Sequence, residues 1–496
     1  MWQHVPRADD GRVTEIITGL YMSPLEFLVL LGAVALVVAR WLPHAVRPRV
    51  TIAAGAVCVL SAVALSVVGV RWQMLPVLAG AALALPFAVA PLVRRRTGRP
   101  AWRARWWLAL PGSLACVGLI ATGPVAAWAF PVPVFPEPSG RFAVGTRVMQ
   151  WTDPNRPETA TADPHDRRTV VVQLWYPARK SPAGTQRARY LGRTEDEART
   201  VSDALARAAG LPGFLVDGVP RAHTHAVFNA SVADGEGRFP LVLFSPGSGG
   251  VRTQNTAWAE ELASNGYVVA ALDHPYDSAA VVLDDGRTIR TTLSSTGDRD
   301  KDDKLAADAT AVRAGDLSFV LTQLGRLDRG EIAGPLPGRL DTGRVAVTGH
   351  SMGGAAALQA ARQDDRFAAV IDIDGYPHGP NSPSLDRPTL ALTQTITSET
   401  DPRYIPRLTD VLKLNSATSY RLTIPGAAHL SFTDAPLYLP PVPSIVGSLG
   451  RTKSPRVAAA ATLAFLDSAL RHKPGDLAGA LPAYGDLSVY RPGNSR

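Results

Sequence analysis

The chain has 496 residues, 46% of them hydrophobic and 19% charged, with a formal net charge of +8 and two cysteines. That length exceeds one typical domain, and two cysteines exclude a disulfide-built scaffold. Residues 1–130 carry twelve arginines and four acids, whereas the remainder balances 39 basic against 39 acidic side chains; no basic face marks the larger part as a nucleic-acid binder.

The amino-terminal quarter reads as membrane. Val50 to Val70, Trp72 to Val93 and Trp106 to Phe130 contain no charged residue, and about 20 apolar residues suffice to cross a bilayer as a helix. A less regular first span, residues 16–39, contains Pro24 and Glu26. It is too long, and wrongly flanked, for a cleaved signal peptide. The expectation is a transmembrane region over 1–130 with four helices: 16–39, 50–70, 72–93 and 106–130. Three arginines fall in 40–49, one at Arg71 and six in 94–105. The positive-inside rule puts the first and third loops in the cytoplasm, so the chain leaves the fourth span outside and its larger part is extracytoplasmic. Cys58 and Cys116 both fall within predicted spans.

Residues 131–140 are rich in proline, as in Phe130-Pro131-Val132-Pro133-Val134-Phe135-Pro136-Glu137-Pro138, and read as a stiff spacer. Beyond it, residues 141–496 are expected to form one catalytic domain. Ser181 to Arg238 reads as an insertion with an amphipathic helix near Glu195 to Ala209, either a lid or a surface excursion. His223 and His225 form an H-x-H pair without a nearby third ligand. Asp284 to Lys304 is polar and reads as a mobile loop. No metal or cofactor is implied.

The chemistry lies in Gly349-His350-Ser351-Met352-Gly353-Gly354. A β-branched run, Arg344 to Thr348, precedes it, and an Ala-rich helix from Ala355 follows. A G-x-S-x-G between strand and helix reads as a nucleophile elbow, with Ser351 held above the sheet edge. The fold class expected is an α/β hydrolase, a mostly parallel sheet with helices on both faces. A serine needs a base and an orienting acid, in chain order Ser, Asp or Glu, His. Only His378, His429 and His472 follow Ser351. His378 leaves no room for an acid before it, and His472 ends the surface helix expected over Arg456 to Leu470. His429 follows the strand-like Ser419 to Ile424 and a turn, where the base belongs. For the acid, Asp374 ends the apolar strand Ala369 to Ile373, with Asp372 deeper on the same face. Glu399 and Asp401 follow the next strand, Thr389 to Thr393, and compete. The oxyanion donors expected are the backbone N–H groups of Met352 and, from the glycine-rich loop after Leu241 to Phe244, Ser248. That loop is followed by no Gly-Lys-Ser or Gly-Lys-Thr, so it is not a phosphate cradle.

From about Phe142 to Leu470 the chain resembles the plasma-type platelet-activating factor acetylhydrolases. The carrying segments are Val171-Val172-Gln173-Leu174-Trp175-Tyr176-Pro177, Phe239 to Ser245, Gly249-Gly250-Val251-Arg252-Thr253, Glu261 to Ala270, the elbow, Asp365-Arg366-Phe367 and His429-Leu430-Ser431-Phe432-Thr433-Asp434. The resemblance places the acid on Asp374 and the base on His429. The elbow is also similar to that of bacterial cutinases and polyester hydrolases, in which the acid comes one strand later, at Asp401. Pro246-Gly247 looks more like the cutinase pattern than the His-Gly usual in the first family. The resemblance implies a serine esterase acting on short or truncated acyl groups of lipid-like esters; with the apolar spans, the expectation is a membrane-anchored enzyme with no cofactor. A cell-envelope acyltransferase using the same triad is the alternative; a scaffold whose hydrolase-like domain only binds ligand is a non-enzymatic one.

Overall fold

The computed structural model describes residues 19, 21–43, 45–97, 106–235, 237–378, 384–398 and 400–492. The chain divides into two compact units, Met1–Val134 with Phe214–Gly218, and Phe135–Gly213 with Val219–Arg496.

The first unit is helical. Helices α1 (Pro24–Ala39), α2 (Arg47–Val68), α3 (Leu75–Arg96) and α4 (Trp106–Ala129) follow one another. Three apolar stretches, Arg47–Val68, Trp72–Arg94 and Ala109–Ala129, are long enough to cross a membrane; α1, at 16 residues, is shorter. Residues 16–18 and 20 of the first expected span, and 98–105 of the arginine-rich loop, lie outside the described residues. Small residues let these helices approach closely: a Cβ on Gly32 would stand 2.9 Å from the Cβ of Cys58. Polar groups tie the ends together. Arg71, before α3, donates to both carboxylate oxygens of Glu26 (2.7 and 2.9 Å), and Glu26 closes a capping box with Ser23 at the start of α1. Gln73 donates to the carbonyl of Phe130 beyond α4, and Trp41 beyond α1 donates to Ser113 in α4. The start of α1, the α2–α3 turn and the end of α4 therefore share one end of the bundle.

The second unit is built on a mixed ten-stranded sheet. Its strands are β1 (Ala143–Pro157), β2 (Arg167–Ala178), β3 (Val227–Phe228), β4 (Phe239–Ser245), β5 (Val268–Asp273), β8 (Leu340–His350), β9 (Ala369–Ile373), β10 (Thr389–Thr393), β11 (Ser419–Thr423) and β12 (Asp486–Tyr490). The order is β12-β11-β10-β9-β8-β4-β5-β2-β1-β3. The six strands from β5 to β11 are mutually parallel; β2 runs antiparallel to β5 and β1, β12 runs antiparallel to β11, and the short β3 pairs parallel to β1. Strands β4, β5, β9 and β10 are buried along their whole length, as expected of a parallel sheet covered on both faces. Helices α5 (Glu195–Ala208), α6 (Thr256–Ser264), α7 (Arg299–Asp328), α8 (Met352–Gln363), α9 (Tyr404–Leu414) and α10 (Lys453–Ala469) accompany it. One core holds Leu241, Leu243, Val345, Val347 and Val370 with Leu317, Leu324 and Leu358 of α7 and α8; the other holds Val242, Phe244, Ala346 and Ile371 with Trp258 and Phe465 of α6 and α10.

Two segments differ from expectation. Asp284 to Lys304 is not a loop throughout: β6 (Ala280–Val282) and β7 (Thr288–Arg290) form a hairpin across it, and α7 begins at Arg299. Asp298 caps that helix by accepting from the N–H groups of Asp300 and Lys301. Part of the proline-rich stretch is fastened to the second unit. Phe135 packs edge-on against Tyr190 at 4.8 Å, and Ser139 donates its N–H to Glu261 at 2.8 Å.

Candidate functional site

Strand β8 delivers Ser351 to the carboxyl edge of the sheet. Ser351 adopts φ 56°, ψ −123° at the head of α8, a conformation that costs a non-glycine residue strain. Its N–H donates to the carbonyl of Ile373 on β9 (2.8 Å). The flanking glycines are required by space. A Cβ on Gly349 would lie 2.1 Å from the carbonyl oxygen of Gly353, and one on Gly353 would lie 2.0 Å from that of Ser245.

Asp374 follows β9, also at positive φ, and is almost wholly buried. Its Oδ1 accepts from Tyr404 Oη (2.6 Å) and from the N–H of Gln394 (2.7 Å), and its Oδ2 lies 2.6 Å from His429 Nδ1. His429 opens a short 3-10 turn, His429–Phe432, beyond β11, and its side chain is 42% exposed. Since Asp374 takes Nδ1, Nε2 is the free face of the imidazole. The motif that follows is structural: Asp434 accepts from the N–H groups of Thr256 (2.6 Å) and Ala257 (3.2 Å), capping α6.

The competing carboxylates are used otherwise. Asp401 faces the same cavity but is bound by Arg403 Nη2 (2.9 Å) and Tyr376 Oη (3.0 Å), and the Arg403 hydrogen bond holds its carboxyl well below the usual range. Asp372 is fully buried beneath the elbow, and neither oxygen accepts a well-formed hydrogen bond among the described residues. Burial, reinforced by the Asp374 charge, pushes its carboxyl well above the ordinary 3.8. Glu399 lies outside the described residues. His378 lines the cavity with Nδ1 3.2 Å from Asp303, whereas His472 follows α10 at positive φ.

Ser351, Met352, Asp374, His429 and Ser248 line one cavity of about 300 Å³, together with Gly375, Tyr376, His378, Gln394, Thr400, Asp401 and Tyr404. Met352 is the first residue of α8, where backbone N–H groups have no partner within the helix. A second recess of about 210 Å³ shares Ser248 and Met352 and adds Leu293, Leu305 and Ala306. No described residue of 181–238 lines either space.

Sequence reasoning missed three supporting side chains. Tyr404 anchors Asp374. His350 Nε2 lies 3.0 Å from the carbonyl of His429, its ring packs against the His429 ring with centroids 4.5 Å apart, and its Nδ1 lies 3.0 Å from Gln254 Nε2. Burial, then the neighbouring imidazole, lowers His350 to about 3, so it stays neutral. Gln254 in turn accepts from the N–H of Gly247 (3.2 Å). His350 was visible as the variable residue of the elbow; Gln254 and Tyr404 carried no local signal. Among the described residues no group of three or more His, Cys, Asp or Glu could hold a metal ion.

Residues 129–476 match the sequence model of the family described as platelet-activating factor acetylhydrolase, isoform II. A probable 1-alkyl-2-acetylglycerophosphocholine esterase of Arthroderma benhamiae is 28% identical over 259 residues, 49% of this chain and 59% of that protein. The platelet-activating factor acetylhydrolase of Canis lupus familiaris is 30% identical over 171 residues, 31% of this chain and 38% of that one. The chain thus spans three-fifths or less of the length of these relatives. Among solved structures, a ferulic acid esterase from Streptomyces cinnamoneus superposes with a TM-score of 0.56 and 30% identity, covering 71% of this chain and 98% of its own. The ten-stranded sheet, the elbow at its edge and a family match over most of the chain make this protein a member of the platelet-activating factor acetylhydrolase isoform II family.

Proposed function

We propose that the protein is a membrane-anchored serine esterase. The observation that carries this reading is the convergence of Ser351, the His429–Asp374 pair and the N–H-bearing residues Met352 and Ser248 on one cavity. Ser351 Oγ attacks the acyl carbon, and its proton passes to His429 Nε2. Asp374 fixes the imidazole tautomer and balances the imidazolium. The N–H groups of Met352 and Ser248 bind the oxyanion, which costs little reorganisation because both belong to fixed backbone. His429 returns its proton to the leaving alcohol. Water, activated by the same imidazole, then attacks the acyl-enzyme and releases the acid. No cofactor takes part.

The substrate reading rests on the family and on the membrane unit. One relative is named for an ester of 1-alkyl-2-acetylglycerophosphocholine, and the apolar helices, three of them long enough to cross a membrane, support a membrane anchor, with the catalytic unit outside by arginine placement. Short or truncated acyl groups on lipid-like alcohols follow. The test is a fluorophosphonate probe with peptide mapping, beside a series of aryl esters. Ser351 should be the labelled residue, and turnover should fall steeply beyond roughly eight acyl carbons, because an enclosed pocket expands only at a cost. Labelling at another residue would sink the nucleophile assignment; equal rates on long chains would reject the short-acyl reading. Turnover that requires an added alcohol would make the protein an acyltransferase.

A further inference from the structure

Beneath the Ser245–Gly250 loop lies a second charged cluster, largely buried. Arg313 is 1% exposed and comes from the middle of α7. Its Nη2 donates to the carbonyl of Gly247 (3.1 Å), and its Nη1 donates to the carbonyl of Pro246. Asp277 pairs with the other edge of the guanidinium, at 2.5 Å to Nε and 2.6 Å to Nη2. Three residues on along the same helix, Asp316 accepts from Arg168 (2.7 Å) and Arg156 (2.6 Å) and lies 2.8 Å from His274 Nδ1. His274 Nε2 reaches Ser245 Oγ at 2.9 Å, the last residue of β4. Ser245, His274 and Asp316 are each 0% exposed.

The consequence follows from peptide geometry. In a trans peptide the C=O of one residue and the N–H of the next point in opposite directions. A Pro246 carbonyl turned towards Arg313 sends the Gly247 N–H the other way, where Gln254 Oε1 accepts it at 3.2 Å. A Gly247 carbonyl turned towards Arg313 likewise sends the Ser248 N–H away from α7. That peptide adjoins the elbow: a Cβ on Gly247 would stand 3.5 Å from the Cβ of Ser351. Among the described residues the Ser248 N–H has no internal acceptor, while Ser248 itself borders both recesses.

We propose that Arg313 is a positioning residue, which grips two successive carbonyls from behind and so aims the Ser248 N–H at the oxyanion. The Ser245–His274–Asp316 chain fixes the strand end from which the loop departs. This rests on the assignment of Ser351 as nucleophile. A planar guanidinium with parallel donors can hold two adjacent carbonyls at once, whereas an ammonium is a single point of charge.

The test uses the full chain in detergent. Arg313→Lys keeps a cation for Asp277 but loses the fork. Its kcat should fall about 10²-fold, the scale of a lost oxyanion donor, with KM within about threefold, since the interaction forms only in the transition state. Affinity for an aryl boronic acid should fall in parallel with kcat, and affinity for the product acid should not change. A merely structural role would lower stability without that split; kcat retained within about threefold in a variant labelled at Ser351 overturns the proposal. The double variant Arg313→Gln/Asp277→Asn, which leaves no buried charge unpaired, should show the same split. A crystal structure of the wild-type phosphonate adduct decides the matter independently of any variant: the phosphoryl oxygen should accept from Ser248 N–H while Gly247 O remains on Arg313, and an oxygen bound elsewhere refutes the mechanism. Failure of the wild type to label at Ser351 would instead refute the underlying assignment.

Discussion

Asp372 and Asp374 stand two residues apart at the end of one strand, in different surroundings. Asp374 receives two hydrogen bonds on one oxygen and meets the imidazole with the other, so it is fixed against His429. Asp374→Asn should therefore cost several orders of magnitude in kcat, by about 10⁴-fold if the tautomer is lost. Asp401→Asn, which leaves His429 untouched, should cost little; steady-state kinetics on one aryl ester separates them. Burial, with the Asp374 charge beside it, pushes the Asp372 carboxyl well above its ordinary value. Its folded pKa lies above the unfolded one, so between the two values the folded state binds more protons and stability falls as pH rises. Asp372→Asn should raise the thermal midpoint near about pH 8 and lose that advantage towards about pH 4. Unchanged midpoints at both values would mean that the carboxyl is ionised in the folded protein. From residue types alone Asp374, directly after one apolar strand, and Asp401, in the loop after the next, both remained open. Which one reaches His429 depends on how β9, β10 and β11 line up side by side, and that register is a long-range property.

Among the elements, the elbow was the most legible, because its demands are local. A strand, a residue at positive φ and a helix must meet within six positions, and the glycines that permit this are written in order. Gly353→Ala would drive a Cβ to 2.0 Å from the Ser245 carbonyl oxygen. It should cost about 3 kcal/mol or more, seen as a large drop in thermal midpoint together with lost probe labelling at Ser351. A variant with wild-type midpoint and labelling would show that the turn can open. Helix α7 was the opposite case. Its buried residues begin only at Thr310, so its first three turns have no apolar stripe and read as solvated charge. Two of its polar residues, Arg313 and Asp316, face inward to partners far away in the chain; Asp316 meets Arg168 across 148 positions. Such pairings leave no periodic trace.

For the molecule as a whole, charge distribution and apolar runs set the expectation of a helical membrane part followed by a sheet-based part. Orientation is testable in intact cells. With Cys58 and Cys116 replaced by alanine, a cysteine at Glu137 should react with an impermeant thiol reagent, whereas one at Thr97 should react only after permeabilisation. The reverse pattern would invert the topology. The Glu26–Arg71 pair bears on the same question, since it ties the start of α1 to the α2–α3 turn at 2.7 Å. Arg71→Ala would leave a buried carboxylate unpaired at a helix start, and its effect belongs to assembly of the helical unit rather than to ester turnover.

Among the described residues two chains of serine, histidine and aspartate stand out, and the one with every link joined is Ser245–His274–Asp316. Judged by connectivity, it is the more complete relay. Yet its carboxylate is already engaged by two arginines, and no carbonyl carbon can be brought to a hydroxyl sealed inside the protein. Reactivity is thus a matter of vacancy as much as of wiring. What distinguishes Ser351 is room beside it for an acyl group, and a search for latent hydrolases among proteins of this shape would do better to follow the empty space than the hydrogen bonds.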